Sequence, residues 1–469
     1  MGCVGLLEPP AVLSAGSLGF HRPPRHGVRA IDTRNTGLPW LLVYLALIVM
    51  PLGVLLLGER PRGGGYWWDF ALVLGYAGLA MMGVQFALTA RFKRATAPFG
   101  IDLIYYFHRF LATVAFALLL LHAGLLWWKY PEAVGSIDPR RAPGHMTLGW
   151  LAMLAFTTGI VSSLWRKRLR IEYDRWRRLH VLLALLGVVL AVLHVEGSGT
   201  YLQSPWKRAA WTALALSWLS LAMWVRLVRP ALLLRRPWRV TEVRRERGRS
   251  WTLTLAPERG AVFAYQPGQF AWLTLRASPF ALREHPFSFA SSPTRPGSVQ
   301  FTIKELGDFT RGIGRIQPGE RAYLDGPYGS FGIDRHPGAS GFVFIAGGVG
   351  IAPLIGMLRA MADRGDRRPL WLFYGNRNWE RVVFREELDA LAGTLDLTVV
   401  HVLGEPPADW RGETGFIDRD VLQRHLPPER ADLHYLVCGP ASMIRLSERS
   451  LDKLGIPLKQ LHSEIFDIA

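Results

Sequence analysis

The first half of the chain consists of long apolar runs, whereas the second half alternates short apolar runs with turns. Six segments lack Asp, Glu, Lys and Arg: residues 38–57, 70–90, 110–128, 146–164, 179–195 and 209–225. Each is close to the ~20 residues that a helix needs to cross a ~30 Å hydrocarbon core. None carries the polar stripe of an amphipathic helix in a soluble protein. We therefore predict a membrane α-helical bundle of six spans over residues 38–228.

The pattern beyond residue 235 is typical of two further folded units. Strand-like runs lie at residues 251–255, 270–275 and 298–304. From residue 341, a strand, a glycine turn and a helix follow one another, and strand–helix pairs recur at 370–392 and 435–454. Such alternation is typical of a parallel α/β sheet. We predict a β-barrel domain over residues 235–335 and an α/β nucleotide-binding domain over 340–469.

Composition and charge agree with a membrane protein. Hydrophobic residues make up 50% of the 469 residues and charged residues 20%, and the formal net charge is +18. Basic residues cluster in the N-terminal segment and after spans 2, 4 and 6. The positive-inside rule then places both termini and the soluble half in the cytoplasm of a multi-pass protein of the cell (inner) membrane. The surplus charge thus reflects topology, and we expect no nucleic-acid partner.

Two features of the sequence argue against a signal peptide and against cysteine-based sites. Residues 1–37 are predicted to be an N-terminal cytoplasmic segment and not a signal peptide. Pro9 and Pro10 interrupt the only apolar stretch in this segment, and no basic region precedes that stretch. The two cysteines, Cys3 and Cys438, exclude a disulfide framework and any cysteine-based metal cluster.

Four histidines recur at one spacing in the predicted spans. His108 and His122 lie in or beside the third span, and His180 and His194 bracket the fifth, each pair 14 residues apart. At ~100° per residue the members of a pair share one helix face about 21 Å apart. Two helices running in the same direction place His108 level with His180, and His122 level with His194. We predict two stacked bis-imidazole sites, with His145 as a solvated loop residue.

Haem is favoured over a bare metal ion at these two sites. Neutral imidazole is a usual axial ligand of haem iron, and no Cys or carboxylate accompanies the histidines. Arg109, Arg177 and Arg178 adjoin the inner pair. They are candidate partners for haem propionates, but ordinary positive-inside charge explains them equally well.

The soluble half contains three stretches that suit flavin chemistry. They are His285-Pro286-Phe287-Ser288, Gly307-Asp308-Phe309-Thr310 with Lys304 before it, and Asp325-Gly326-Pro327-Tyr328-Gly329. The hydroxyls of Ser288 and Thr310 and the cation of Lys304 suit the polar atoms of a flavin and a pyrophosphate. Each stretch on its own is equally compatible with a turn.

A glycine-rich turn after an apolar strand suits a dinucleotide. It runs Gly347-Gly348-Val349-Gly350-Ile351-Ala352-Pro353, and Cys438-Gly439-Pro440 follows a later strand. The glycines allow the backbone to approach a pyrophosphate at a helix N-terminus, and Pro353 is expected near the first helical position. Arg377, at the end of another strand, is a candidate ligand for a 2′-phosphate.

Together these motifs resemble the ferredoxin–NADP reductase superfamily, and the chain from residue 38 onward resembles the NADPH oxidase and ferric reductase group of transmembrane proteins. In that group the HPF[ST] and GDWT-like stretches bind FAD, and the GxGxxP and CGP motifs bind the nicotinamide nucleotide. A C-terminal aromatic covers the flavin, and Phe466 is the candidate here. The resemblance implies roles at the reaction centre for Phe466 and Cys438. The chain departs from the pattern at Phe309, where oxidases have Trp, and at Leu126, where animal oxidases have a second histidine.

The resemblance implies an NAD(P)H-dependent flavohaem oxidoreductase with FAD, NADPH and two haem b groups. Electrons would pass from cytosolic NADPH through FAD and the haems to an acceptor on the outer side. Oxygen, giving superoxide, is the preferred acceptor. A ferric chelate and a periplasmic redox protein are the alternatives. A haem-carrying transporter or sensor is a non-enzymatic alternative that the nucleotide motifs disfavour.

Overall fold

A bundle of long helices forms the first part of the computed structural model, which describes residues 37–57, 64–92, 100–259, 263–295, 297–430 and 432–465. Six helices in these ranges are long and apolar enough to cross a membrane. They are α1 (Gly37–Leu56), α2 (Tyr66–Thr89), α3 (Gly100–Lys129), α4 (Gly144–Leu164), α5 (Tyr173–Ser198) and α6 (Pro205–Met223). The prediction of six spans is confirmed. Helix α6 continues through a π-helical turn, Trp224–Val228, into Arg229–Leu234.

The bundle is built from two helical hairpins, α2 with α3 and α4 with α5, with α1 and α6 packed beside α2. Glycines permit close approach between the helices. A Cβ at Gly78 would lie 2.8 Å from Leu119, and one at Gly187 would lie 2.6 Å from Phe156. Small residues commonly line such contacts, because lipid is as apolar as the side chains and close packing supplies the attraction. Apolar side chains such as Leu154 remain exposed on the outside of the bundle.

Six antiparallel strands form the β domain that follows. They are β1 (Trp238–Glu246), β2 (Ser250–Pro257), β3 (Phe270–Leu275), β4 (Glu284–Ser288), β5 (Val299–Lys304) and β6 (Arg321–Tyr328), in the order β4-β3-β6-β1-β2-β5. Among the described residues, the two edges of the sheet are joined by a bridge between Phe289, just after β4, and Phe301 of β5. The predicted barrel is therefore only partly closed. Strand β4 is short and contains Pro286, which has no N–H to donate to a further ladder.

The α/β domain contains a parallel sheet with helices between its strands. The strands are β7 (Gly341–Gly347), β8 (Leu370–Asn376), β9 (Leu397–Leu403), β10 (Glu413–Thr414), β11 (Leu433–Gly439) and β12 (Leu461–Ile465), in the order β10-β9-β8-β7-β11-β12. The helices are α7 (Ile351–Arg364), α8 (Arg385–Ala392), α9 (Arg419–His425) and α10 (Ala441–Lys453). The central strand β7 is buried along its whole length. Because the strands are parallel, the carboxyl ends of β7, β8 and β11 share one edge.

Candidate functional site

The end of the bundle farther from the β domain, here called the distal end, holds one histidine pair. His122 on α3 and His194 on α5 line a cavity of about 220 Å³. The Nδ1 atom of His122 lies 2.7 Å from the carbonyl oxygen of Ala71, and Nδ1 of His194 lies 2.7 Å from that of His145. A neutral imidazole that donates from Nδ1 leaves Nε2 unprotonated. Both rings are thus held in the form that ligates a metal.

A glycine stands four residues after each accepting carbonyl. A Cβ at Gly75 would lie 2.8 Å from Nδ1 of His122, and a Cβ at Gly149 would lie 2.9 Å from Nδ1 of His194. Only a residue without a side chain allows the ring to reach the carbonyl one turn earlier. The two hairpins therefore use the same arrangement, a carbonyl at i and a glycine at i+4.

The prediction that His145 is a solvated loop residue is wrong. His145 is the second residue of α4, and it lines the distal cavity. Its ring centroid lies 6.2 Å from that of His194. The error arose because α4 begins before the uncharged run at residue 146, so the histidine belongs to the helix that faces the cavity.

The second histidine pair lies at the proximal end, next to the β domain. The ring centroids of His108 and His180 are 6.1 Å apart, and both rings line a cavity of about 920 Å³. Nδ1 of His180 lies 3.3 Å from Oγ of Ser163. Nδ1 of His108 is buried and has no hydrogen-bond partner among the described residues. A buried imidazole in a large cavity fits a ligand that fills the space.

The residues around the two pairs fit haem. Facing helices supply two imidazoles at each level, and guanidinium groups in the wall of the proximal cavity suit propionate carboxylates. Those arginines are Arg91, Arg109, Arg177 and Arg226. The sequence had singled out Arg109 and Arg177 but not Arg91 or Arg226, which come from other elements. The assignment of the four histidines as haem ligands stays a prediction.

A third cavity, of about 440 Å³ and here called the flavin-type cavity, lies where α5, the β domain and the β7–α7 turn meet. It brings together most of the residues proposed for the flavin, namely His285, Pro286, Phe287, Ser288, Lys304 and Thr310. The His285 ring stacks on Phe309 with centroids 4.0 Å apart. Burial lowers the pKa of the Lys304 ammonium, and neighbouring Arg381 and Arg249 lower it further.

Thr310 shapes this cavity through its own turn. Its hydroxyl oxygen accepts hydrogen bonds from the N–H groups of Leu306 and Gly307, both at 2.9 Å. The hydroxyl thus holds the loop that carries Phe309 against His285. Its proposed contact with a flavin remains a prediction.

The glycine turn and the Cys438-Gly439-Pro440 segment form one surface at the carboxyl edge of the α/β sheet. A Cβ at Gly350 would lie 2.2 Å from the carbonyl oxygen of Cys438, and one at Gly439 would lie 3.1 Å from Gly347. The side chain of Cys438 is buried in the core beneath this surface. Gly348 adopts a φ of +54°. This edge is open to the cavity above it, because Val349 and Ala352 also line the flavin-type cavity.

The structure places Pro353 and Arg377, two candidates for nucleotide binding, at or close to their expected positions. Pro353 is the third residue of α7 and not the first, but its missing N–H still falls within the first turn, where no helical acceptor exists. Arg377 directly follows β8, as predicted, and its guanidinium pairs with the Glu405 carboxylate at 2.8 Å. Both of these side chains are about 60% exposed. A bound phosphate at Arg377 would compete with this carboxylate.

The proximal cavity and the flavin-type cavity share part of their walls. Tyr173, the first residue of α5, lines both, and so does Ile465 at the end of β12. Phe466, the candidate aromatic cover, follows Ile465 directly but lies outside the described residues. The shared side chains place the two cavities side by side.

Buried ion pairs connect the membrane helices to the β domain at this junction. Glu284 Oε1 accepts hydrogen bonds from Arg91 at 2.7 Å and from Arg177 at 2.6 Å. Arg91 also approaches Asp325 at 3.4 Å, and its guanidinium lies 3.7 Å from the Trp272 ring centre. Burial alone would raise the pKa of Glu284, but the two guanidinium groups lower it to about 2. Sequence reasoning missed Glu284, although it directly precedes the His285 motif.

Three family profiles match separate parts of this chain. A ferric reductase-like transmembrane component matches residues 74–191, an FAD-binding domain matches 248–331, and an oxidoreductase NAD-binding domain matches 344–449. The first match includes α3, α4 and most of α2 and α5; it contains His108, His122 and His180 and ends just before His194. The other two cover the motifs around the flavin-type cavity and the carboxyl edge of the sheet.

Characterised relatives match parts of the chain. NADH-cytochrome b5 reductase 1 of Laccaria bicolor is 32% identical over 181 residues, 36% of this chain and 57% of the relative. Ferredoxin–NADP reductase B of Sorangium cellulosum is 32% identical over 219 residues, 44% of this chain and 88% of the relative. The chain spans 57% to 60% of the length of two fungal cytochrome b5 reductases.

Solved structures resemble the chain at lower similarity. The flavohemoglobin from Malassezia yamatoensis is 17% identical, with a TM-score of 0.47 over 85% of this chain and 97% of its own. The ferredoxin reductase of carbazole 1,9a-dioxygenase is 27% identical, with a TM-score of 0.44 over 49% of this chain and 69% of its own.

Proposed function

We propose a function for this chain from the premise that it belongs to the NADPH oxidase and ferric reductase-like family of transmembrane oxidoreductases. It is a membrane protein with FAD- and NAD-binding domains, and these support electron transfer from a nicotinamide nucleotide. The finer proposal is transfer from cytosolic NADPH, by way of FAD and two haem b groups, to an acceptor on the outer side of the membrane. The acceptor we propose is oxygen, which would yield superoxide.

The continuity of the cavities is the observation that carries this proposal. The carboxyl edge of the α/β sheet opens on the flavin-type cavity, which shares Tyr173 and Ile465 with the cavity of the proximal histidines. The distal pair lies 14 residues farther along the same two helices, or about 21 Å. A continuous series of sites from the nucleotide to the far end of the bundle is what transmembrane electron flow requires.

Each group of residues has a distinct part in the proposal. When bound, FAD links the two-electron chemistry of the nicotinamide to the one-electron chemistry of haem iron. The turn at Gly347–Gly350 and the Cys438-Gly439-Pro440 segment bind the nucleotide, and the cavity around Ser288 and Lys304 binds the flavin. The four histidines hold the two irons. Phe466 and Cys438 remain candidates for roles at the site of hydride transfer.

The arrangement of charges supports the proposed orientation. The junction with the β domain is rich in arginine, and the loops at the same end of the bundle carry most of the membrane-flanking bases. The positive-inside rule assigns that end to the cytoplasm. The proximal cavity would then face the cytoplasmic side of the inner membrane, and the distal cavity the outer side.

The distal cavity favours a small acceptor. Its volume is about 220 Å³, and its lining is mostly apolar, with Leu126, Trp68 and Trp150 among the residues. Beside a haem held by His122 and His194, the remaining apolar space would admit a small molecule such as oxygen, whereas a ferric chelate or a periplasmic redox protein would have to react at the mouth of the cavity. Both histidines of each pair would hold a haem, so neither would be available to bind the acceptor.

Purified protein in detergent provides the test. We expect two b-type haems per chain and NADPH oxidation that generates superoxide, detected as a signal that superoxide dismutase abolishes. His122→Ala should lose one haem and the outward flow but retain flavin reduction by NADPH, while His425→Ala, in the α/β domain, should retain both haems. One haem per parent chain would overturn the haem assignment. Reduction of ferric chelate or of an added redox protein without superoxide would replace oxygen as the acceptor.

A further inference from the structure

Three histidines converge at the amino edge of the α/β sheet, opposite the nucleotide motifs. His336 lies in the connection between β6 and β7, His434 is the second residue of β11, and His462 is the second residue of β12. A ligand nitrogen from each lies within 4.8 Å of those of the other two. All three side chains are half-buried. None of them lines the cavities that carry the proposed electron transfer.

Sheet register and the interdomain connection produce this convergence. Strands β11 and β12 are parallel, and Leu436 pairs with His462. His434 lies two residues before Leu436, so His434 and His462 project from the same face of the sheet. Nδ1 of His434 lies 2.9 Å from Nε2 of His462. The His336 ring packs against both others, with centroids 4.1 Å away in each case.

We propose that His336, His434 and His462 form a binding site for a divalent transition-metal ion of the zinc class. Imidazole nitrogens bind Zn²⁺ at about 2.0–2.1 Å, which places tetrahedral ligand atoms about 3.3–3.4 Å apart. The 2.9 Å between the nitrogens of His434 and His462 is close to that spacing, so a small opening of the rings admits the ion. A ligand set of imidazoles selects zinc, copper or nickel over magnesium and calcium. Three protein ligands leave the fourth position for water.

The position of the cluster indicates a structural consequence. His336 belongs to the connection that leaves the β domain, whereas the other two ligands belong to two strands of the α/β sheet. A shared ion ties this connection to the sheet edge. Because the unfolded chain does not preform the site, an ion bound there stabilises the folded protein. Zinc therefore raises the melting temperature and has no part in electron flow.

The experiment uses the full-length protein purified without a histidine tag. The protein is treated with a chelator, dialysed against Zn²⁺ and analysed for bound zinc by mass spectrometry, with melting measured in parallel. We expect one zinc ion per chain that His462→Phe removes, with affinity at least about 100-fold weaker in the variant. Phenylalanine preserves a stacked ring but offers no nitrogen. The matched control is His425→Phe in the same domain, which removes a half-buried histidine paired with Glu413 and should retain the zinc.

Two results would overturn the site. One is a parent chain that retains no zinc and shows no rise in melting temperature. The other is a His462→Phe variant that binds zinc like the parent. If that variant does not fold, X-ray absorption of zinc-loaded parent protein decides the question. A first shell with three imidazoles supports the site, whereas a shell with fewer imidazoles or with sulfur refutes it. Magnesium in place of zinc should leave the melting temperature unchanged.

Discussion

Glu284 is the residue whose replacement should most directly separate the membrane helices from the β domain. Its carboxylate accepts hydrogen bonds from Arg91 and Arg177, and its side chain is only 13% exposed. Glu284→Gln keeps the shape but removes the charge that faces two buried guanidinium groups. Breaking a buried pair by removing one partner costs about 3–5 kcal/mol. At about 1.36 kcal/mol per pKa unit, the lowering of its pKa from 4.5 to about 2 corresponds to about 3 kcal/mol.

That free energy acts on docking more than on the fold of either part, because Arg177 lies in α5 and Arg91 just follows α2, whereas Glu284 lies in β4. A loss of about 3 kcal/mol raises the undocked fraction by roughly 100-fold. We expect flavin reduction by NADPH to continue in Glu284→Gln while stopped-flow haem reduction slows and the melting temperature falls.

A surface ion pair of the same domain provides the control for this prediction. Glu320 pairs with Arg276 at 2.6 Å, and their side chains are 25% and 45% exposed. Glu320→Gln should cost less than about 1 kcal/mol, because solvent screens such pairs. If Glu284→Gln matches Glu320→Gln in both haem reduction and melting, the reasoning about the junction is refuted.

Three further predictions concern the histidine pocket, the nucleotide and pH. Gly75→Ala should displace the distal histidine ring and remove one haem from the absorption spectrum, whereas Gly124→Ala, whose Cβ meets nothing within 4 Å, should keep both. Glu405→Gln should free Arg377 and lower the KM for NADPH several-fold relative to the KM for NADH, and Arg377→Ala should do the reverse. If the ratio of the two steady-state KM values is unchanged in both variants, Arg377 has no part in nucleotide specificity. Burial would raise the pKa of Glu284, but its two arginines lower that pKa to about 2. The contribution of the Glu284 carboxylate to the free energy of unfolding is therefore present above pH 4.5 and is lost as the pH falls toward 2. The difference in melting temperature between parent and Glu284→Gln should therefore shrink between about pH 5 and pH 3, and a constant difference would count against this.

The glycine arrangement at the distal pair shows how far local spacing can lead. The 14-residue separation of the histidines could be converted into helix faces, because helical rise and rotation are properties of the backbone alone. The importance of Gly75 and Gly149 could not be derived from spacing, because each glycine packs against a histidine ring from a neighbouring helix. Only the packing of α2 on α3 and of α4 on α5 shows which carbonyl each ring reaches.

The soluble half shows the same division. The strand–glycine–helix order identified the nucleotide motifs, because a turn next to a helix is a local structure. The pairing of Arg377 with Glu405 joins the ends of neighbouring strands, and the partial closure of the barrel depends on where β4 and β5 meet. Neither follows from residues near to one another in the chain.

Amino-acid order alone was sufficient for the six spans, the paired histidines and the order of the nucleotide motifs, since each is a pattern within one element. Only the tertiary structure showed that Tyr173 and Ile465 line two adjacent cavities, that Arg91 contacts Glu284, and that His336 joins His434 and His462 in one cluster. Those features join side chains hundreds of positions apart or from separate domains. Their distances depend on helix packing and strand register, which are set by the whole fold and not by any one segment.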